Sequence, residues 1–174
     1  NKSTQGAWNK NAYFKAKIIE QQERYYSFDS SAFNLEPDLK ESPGTMRDFQ
    51  NAEWILNYCL GLDCEEKIKA SEIFHSSYFE ARKSYEFIKT IRYATNLVTK
   101  NKNRLNFESQ IDIAKKAIKK ELSEKDKVEA LMQKFFYQVQ TITSFNQLVE
   151  QVYAESRIIG IKKKKGNFFY KGNQ

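Results

Sequence analysis

The sequence contains few of the residues that build covalent, metal or nucleotide sites. It has 2 cysteines, 2 prolines, 6 glycines and 1 histidine among 174 residues. Cys59, Cys64 and His75 leave a four-ligand zinc site one ligand short, and two neighbouring thiols give no disulfide framework. The glycines are scattered, so there is no glycine-rich phosphate loop. We therefore expect neither a metal nor a cofactor.

Catalytic residue patterns are equally scarce. A Cys-His nucleophilic site would have to pair His75 with Cys59 or Cys64, and the sequence gives no sign that they meet. Adjacent acids such as Glu65 and Glu66 are common on exposed helix surfaces and do not by themselves indicate acid-base chemistry. We therefore predict that the protein is not an enzyme.

Long apolar runs are also missing. No stretch approaches the roughly 18 apolar residues of a membrane helix, and the first residues lack the apolar core of a secretory signal. Hydrophobic residues make up 40%, aromatic residues 14% and charged residues 29% of the chain, which is typical of folded globular proteins. We expect an intracellular protein without membrane contact, nuclear in a eukaryote or cytoplasmic in a prokaryote.

Apolar residues recur at helical spacing along the first hundred residues. This spacing predicts one helix over 7–28 and a second over 45–60. The stretch 64–98 fits one long helix or two stacked helices. Thr45 followed by Asp48 is typical of a helix start, because a Thr side chain can accept from exposed amides and an acid favours the positive end of the helix.

The stretch 28–44 contains turn formers throughout and ends in Pro43-Gly44. This composition predicts an extended connection between the first two helices. We divide the chain accordingly into an N-terminal helix and extended arm, residues 1–44, and a helical domain, residues 45–174.

Three further helices are predicted in the second half of the chain. Apolar spacing indicates one helix over 107–122 and another over 128–142. Ser144 followed by Gln147 repeats a capping pattern, which predicts that a third, shorter helix begins there and continues to about Tyr153.

The pattern changes period after residue 156. A β-prone run at 158–161, a polar turn at 162–166 and an aromatic run at 167–171 are typical of a β-hairpin. The predicted fold class is therefore mainly α: a helical bundle that ends in a C-terminal β-hairpin.

Positive charge is concentrated at the C-terminus. The formal net charge is +7, and residues 157–174 contain six basic and no acidic side chains. Aromatic residues lie among them, a combination that can neutralise phosphates and stack on bases, although a lysine-rich turn can equally be a solvated sheet edge. The basic residues are Arg157, Lys162, Lys163, Lys164, Lys165 and Lys171, and a second basic zone contains Lys100, Lys102 and Arg104.

The order helix, helix, capped helix and basic hairpin resembles the winged helix-turn-helix family over residues 107–171. The resemblance implies a DNA-binding domain whose recognition helix, 145–155, enters the major groove. Asn146, Gln147 and Gln151 would then contact base edges. It also implies that the lysine-rich turn, Lys162 to Lys165, acts as the wing on the phosphate backbone.

Two functions are compatible with these patterns. The first is a non-catalytic nucleic-acid-binding accessory subunit of a larger complex, with DNA favoured over RNA and other protein subunits as partners. The alternative is a helical interaction or scaffolding subunit without nucleic-acid contact. Its interface would use N-terminal aromatic residues, which are enriched at interfaces: Trp8, Tyr13, Phe14, Tyr25 and Tyr26.

Overall fold

The computed structural model describes residues 9–27, 34–99, 103–119 and 121–169, with the backbone alone over 158–169. All regular elements in these ranges are helices: α1 (Lys10–Ser27), α2 (Met46–Ile55), α3 (Glu65–Lys69), α4 (His75–Thr99), α5 (Phe107–Ala117) and α6 (Glu124–Phe169). A π-helical turn, Leu56–Leu60, extends α2. The prediction of a mainly helical fold is confirmed.

Helix α6 is the axis around which the other helices pack. It contains 46 residues, about 69 Å at 1.5 Å per residue, and α2, α4 and α5 all lie against it. The buried side chains along it recur every three or four positions, so they form one continuous stripe. They are Leu131, Phe135, Val139, Ile142, Phe145, Val149 and Tyr153.

The predicted helix boundary at Ser144 is wrong. Thr143 donates from its hydroxyl to the carbonyl of Val139 at 2.9 Å, a bond typical of a helix interior. The apolar stripe also continues without a shift from Ile142 to Phe145. A Ser-x-x-Gln pattern starts a helix only where the preceding residues are not helical, and here the buried stripe keeps them in one helix.

The predicted C-terminal hairpin is also wrong for the residues described. The backbone from 158 to 169 continues α6. The β propensity of the isoleucines at 158–161 is weak and depends on context, whereas lysine is a good helix former and an existing helix needs no new nucleus. The predicted strand residues 170 and 171 lie outside the described residues.

The earlier helices agree better with the predictions. The helices predicted over 7–28 and 45–60 are confirmed as α1 and as α2 with its π turn. Thr45 precedes α2 as predicted, but its hydroxyl donates to the carbonyl of Ser42 at 2.5 Å and does not cap the helix amides. The stretch 64–98 is two helices, α3 and α4.

The connection before α2 is fixed by the segment before α5. The amide of Leu39 donates to the carbonyl of Asn103 at 2.8 Å, and the amide of Leu105 donates to the carbonyl of Pro37 at 2.9 Å. These bonds hold the second half of the connection against the body of the protein. The division of the chain at residue 44 stays a prediction.

Gly44 allows the connection to approach α6 closely. Its φ is +74°, and a Cβ there would lie 2.5 Å from Oγ1 of Thr143 and 2.7 Å from the carbonyl oxygen of Val139. A backbone carbonyl in the middle of a helix has no room to move away. Gly44 is therefore required both by its backbone conformation and by the space available.

We expect Gly44→Ala to lower the free energy of unfolding by more than Gly61→Ala does. Gly61 has nearly the same φ, +75°, but open space around it, so its substitution should cost only the left-handed strain, about 1–2 kcal/mol. The Gly44 variant should lose roughly 1–3 kcal/mol more from overpacking. Urea unfolding of both variants measures the difference, and equal losses would contradict the close contact with α6.

Candidate functional site

A carboxylate without solvent exposure lies where α1, α2 and the connection meet. The side chain of Asp48 is 0% exposed. It accepts hydrogen bonds from the guanidinium of Arg24, from the hydroxyl of Tyr25 and, at 2.7 Å, from the amide of Gly44. Asp48 therefore connects two side chains of α1 and the backbone before α2 to one buried charge.

Amide side chains continue this site towards α6. The Oε1 of Gln21 accepts from Nδ2 of Asn51 at 2.8 Å and from Nδ2 of Asn146 at 3.0 Å. The Oε1 of Glu150 accepts from Nε2 of Gln21 at 2.9 Å and from Nδ2 of Asn146 at 2.7 Å. We call the whole set the buried polar cluster: Gln21, Arg24, Tyr25, Asp48, Asn51, Asn146 and Glu150.

The cluster is the main polar contact between α1 and the rest of the protein. Gln21 is the single residue of α1 that is buried, and the partly buried rings of Tyr13 and Phe14 pack against the core. Polar contacts inside a protein are directional, which makes them specific. The position of α1 is therefore determined by hydrogen-bond geometry together with this aromatic packing.

Burial shifts the protonation of the cluster. It raises the pKa of Glu150, which the hydrogen bonds from Gln21 and Asn146 offset only in part, and the charge of Asp48 raises it further. Burial also raises the pKa of Asp48 by more than its contacts with Arg24, Tyr25 and Gly44 lower it. Two carboxyl groups and one guanidinium thus share a site of low exposure, which makes both carboxyl groups harder to ionise than exposed ones.

Three cations from α1, the connection and α2 lie around the Glu41 carboxylate and the Trp54 ring. The Oε1 of Glu41 pairs with Nζ of Lys40 at 3.0 Å and with Nη2 of Arg47 at 3.5 Å. The guanidinium of Arg47 and the Nζ of Lys17 both lie over the Trp54 ring, 5.8 Å and 4.1 Å from its centroid. We call Lys17, Lys40, Arg47, Glu41 and Trp54 the cationic strip.

Of the three residues predicted to contact bases, Gln147 and Gln151 are exposed and Asn146 is buried. Asn146 is 2% exposed and belongs to the buried polar cluster, because its position in α6 faces the core. Gln147 is exposed, and Gln151 donates to Glu155 on its own helix at 2.9 Å. The resemblance to a recognition helix therefore fails in this geometry.

The predicted basic residues are dispersed. Arg157 contacts Asn11 of α1, and Arg104 donates from Nε to the carbonyl of Glu36 at 3.2 Å. The backbone of residues 162–165 belongs to α6. Lys100, Lys102 and Lys171 lie outside the described residues.

Two of the predicted interface aromatics pack inside the protein. Tyr13 lies against Tyr58, with ring centroids 4.5 Å apart, and Phe14 lies against Tyr153 at 4.6 Å. These contacts dock α1 on the π turn and on α6. Of the remaining three residues, Tyr25 is in the buried polar cluster, Tyr26 is 88% exposed and Trp8 lies outside the described residues.

Sequence reasoning missed most of the cluster. The sequence pattern predicts Asp48 only as a favourable acid at a helix start, and it gives no role to Asn51. A signal was present, because Asn51 directly precedes Ala52 on the apolar face of α2 and Asn146 directly follows Phe145 on the stripe of α6. A polar residue at the edge of a buried stripe indicates a buried partner, but the sequence does not name that partner.

The described ranges contain neither a metal-binding cluster nor a membrane-spanning helix. No group of three or more His, Cys, Asp and Glu side chains there lies together so that it could hold a metal ion. None of the described helices combines the length and apolar character that crossing a membrane requires.

Comparison with known proteins relates the chain to nucleotidyl-transferring enzymes. The family model described as GlnD PII-uridylyltransferase matches residues 12–149. A bifunctional uridylyltransferase/uridylyl-removing enzyme of Pasteurella multocida is 34% identical over 155 residues, which cover 85% of this chain and 17% of that enzyme. Enzymes of the same name from Methylococcus capsulatus and Azotobacter vinelandii are 30% and 32% identical, over 86% and 88% of this chain and 17% of their own length.

The chain therefore belongs to the GlnD PII-uridylyltransferase family. It spans about 17% of the length of the curated relatives it matches. No solved structure matches the chain.

Family membership corrects the functional predictions. The resemblance to a winged helix-turn-helix domain is wrong, because the matching family is one of uridylyltransferases. The prediction of a non-catalytic, DNA-binding accessory subunit is wrong for the same reason, as are the predictions of no enzyme and of a nucleic-acid partner. The alternative of a scaffolding subunit is also non-catalytic and does not agree with an enzyme family.

We expect Asp48→Asn to destabilise the protein by roughly 3–5 kcal/mol, because it leaves the charge of Arg24 buried without its partner. The Arg24 side chain is 9% exposed. Urea unfolding at neutral pH measures the loss. Asp63→Asn is the matched control: Asp63 pairs with Lys67 at 2.6 Å on the exposed surface, where ion pairs contribute little. Similar losses in both variants would contradict the role of burial.

The free energy of unfolding of the Glu150→Gln variant should differ from that of the parent by an amount that depends on pH. Burial raises the pKa of Glu150 in the folded state, so the folded protein holds this proton more tightly than the unfolded chain. The parent's stability relative to the variant is therefore highest below the ordinary Glu pKa of about 4.3. It should fall as the pH rises through the raised pKa, and then level off.

Urea unfolding of both proteins between pH 4 and pH 8 tests this, and subtracting the two curves cancels the titration of groups that the substitution leaves unchanged. The quantity compared is the parent's free energy of unfolding minus that of the variant. If it rises with pH or stays constant, Glu150 is not desolvated by its position between α1 and α6.

Proposed function

We propose that this chain is a helical part of a bifunctional uridylyltransferase/uridylyl-removing enzyme that acts on a PII protein. The observation that carries the proposal is the family match over residues 12–149. The curated relatives with this matching region have that double activity in their names.

The buried polar cluster lies almost entirely inside the matched region, which supports a role for it in the enzyme. Six of its members fall within residues 12–149, and Glu150 follows directly. The cluster fixes α1 against α2 and α6, and through Gly44 it fixes the connection that carries Lys40 and Glu41. Its role in the enzyme is to position these elements, not to react.

Uridylyl transfer requires that the helices supporting the reacting groups hold them accurately in position. The acceptor attacks the α-phosphorus of the uridine triphosphate, the bond from that phosphorus to the pyrophosphate oxygen breaks, and the acceptor's proton passes to solvent. Removal adds water across the new bond and releases UMP. Enzymes of phosphoryl chemistry act mainly by positioning groups and stabilising charge, so small displacements of a supporting helix reduce the rate.

The test is an assay of the full-length protein that contains this chain, with UTP labelled at the α-phosphate and purified PII protein. We expect label to enter PII protein and to leave it as UMP in the reverse assay. Tyr25→Phe removes one hydrogen bond to Asp48 and should lower the transfer rate by about tenfold, the equivalent of roughly 1.4 kcal/mol.

Tyr93→Phe is the matched control. It removes the same hydroxyl group from a tyrosine of α4 that is 60% exposed. Circular dichroism at the assay temperature establishes that both variants are folded. Absence of transfer by the parent protein overturns the proposed function. A folded Tyr25→Phe variant with full activity overturns the positioning role of the cluster.

A further inference from the structure

The cationic strip has an excess of positive charge that its own carboxylates do not neutralise. Lys40 and Arg47 share the single carboxylate of Glu41, and Lys17 pairs with Glu20 at 2.7 Å. Three cations thus face two carboxylates. The three cations are also partly covered, with side-chain exposures of 17% for Lys17, 36% for Lys40 and 25% for Arg47.

Arg47 is the central group of the strip. Its contacts with Glu41 and Gln50 are long, so another acceptor can replace them. Its Nη2 lies 3.5 Å from the Glu41 carboxylate, and its Nη1 donates to Oε1 of Gln50 at 3.2 Å. Both distances are long for a charged donor, since charge-assisted bonds are usually about 2.7–2.9 Å. The pKa of Glu41 is nevertheless lowered, because the contacts with Lys40 and Arg47 outweigh the burial that raises it.

Arg47 itself lies in the first turn of α2, where the helix dipole favours a negative charge. The helix amides themselves are occupied: the amide of Arg47 donates to the carbonyl of Lys40 at 2.9 Å and the amide of Met46 donates to the carbonyl of Leu39 at 3.5 Å. An anion at this place would therefore be held by side chains, assisted by the dipole.

We infer that the cationic strip binds the polyphosphate group of the uridine nucleotide, with Arg47 as its central ligand and the Glu41 carboxylate as the group that phosphate displaces. This inference rests on the proposed function, which supplies the nucleotide. A guanidinium presents paired donors that match two phosphate oxygens. Lys40 shares the Glu41 carboxylate with Arg47, and Lys17 shares the Trp54 ring with it. Both would neutralise charge further along the polyphosphate.

A second surface of similar composition provides a matched control. Lys69 and Arg82 share the carboxylate of Glu65, at 2.7 Å and 3.6 Å, and Lys69 lies 5.8 Å from the ring of Phe79. The side chains of Lys69, Glu65 and Arg82 are about half exposed, between 42% and 55%, and the set contains two cations. The control thus has the same chemistry with less burial and one cation fewer.

The experiment titrates the 174-residue chain with inorganic tripolyphosphate and, separately, with UTP. The chain has 2 tryptophans, so a Trp8→Phe background leaves Trp54 as the reporter. Displacement of the cations over its ring should change its fluorescence saturably with either probe. Calorimetry of the same titrations detects binding that leaves the fluorescence unchanged, and the signal should weaken as salt is added.

Two substitutions should change the affinity in opposite directions. Arg47→Ala should weaken tripolyphosphate binding by about tenfold or more, since it removes charged hydrogen bonds. Glu41→Gln should strengthen it several-fold, because the competing carboxylate is gone; a gain in affinity cannot result from misfolding. Arg82→Ala and Glu65→Gln make the same chemical changes on the control surface and should leave the affinity within about twofold of the parent.

The outcomes separate this inference from the proposed function. No saturable binding of tripolyphosphate or UTP, or equal effects of the strip and control variants, overturns the inference, even if the full-length protein transfers uridylyl groups. Binding of inorganic tripolyphosphate but not of UTP overturns it as a nucleotide site. Binding of both, with the predicted Arg47 and Glu41 effects, supports it, and the labelled-UTP assay then decides the proposed function independently.

Discussion

The architecture depends on the burial of one ionisable group, the carboxylate of Asp48. A carboxylate without solvent is stable only when hydrogen bonds and opposite charge surround it, and here the partners come from α1 and from the backbone at Gly44. This requirement helps to determine where α1 lies, together with the aromatic residues that the helix packs against the core. The turn before α2 is held in place for the same reason, and it carries Lys40 and Glu41 of the strip.

Helix α6 contributes the other side of this arrangement because it is continuous. Asn146 and Glu150 lie one turn apart on α6, so that both reach Gln21 of α1. The buried stripe of α6 holds them in register. A break at Ser144 would have released this register, so the continuity of the helix and the hydrogen bonds that Asn146 and Glu150 make with Gln21 support each other.

Helix content and the first two helices could be predicted from the sequence, because periodicity reports which residues face a core. Periodicity does not report which helix supplies the partner, and Gln21 bonds to Glu150 at a separation of 129 positions. Local sequence patterns therefore could not predict the buried polar cluster. Ser144 and the isoleucines near 158 gave local signals for a boundary and a strand, and burial along α6 and the ease of extending an existing helix outweighed them.

The large sequence separation of the cluster partners has a consequence for biosynthesis. Helix α1 is synthesised before α6, and Glu150 follows its hydrogen-bond partner Gln21 by 129 residues. Contacts between distant segments form only after the intervening chain has been ordered, at an entropic cost. During translation, α1 and α2 therefore leave the ribosome without the helix that completes their interface, and the polar groups that join them remain hydrated until α6 has emerged.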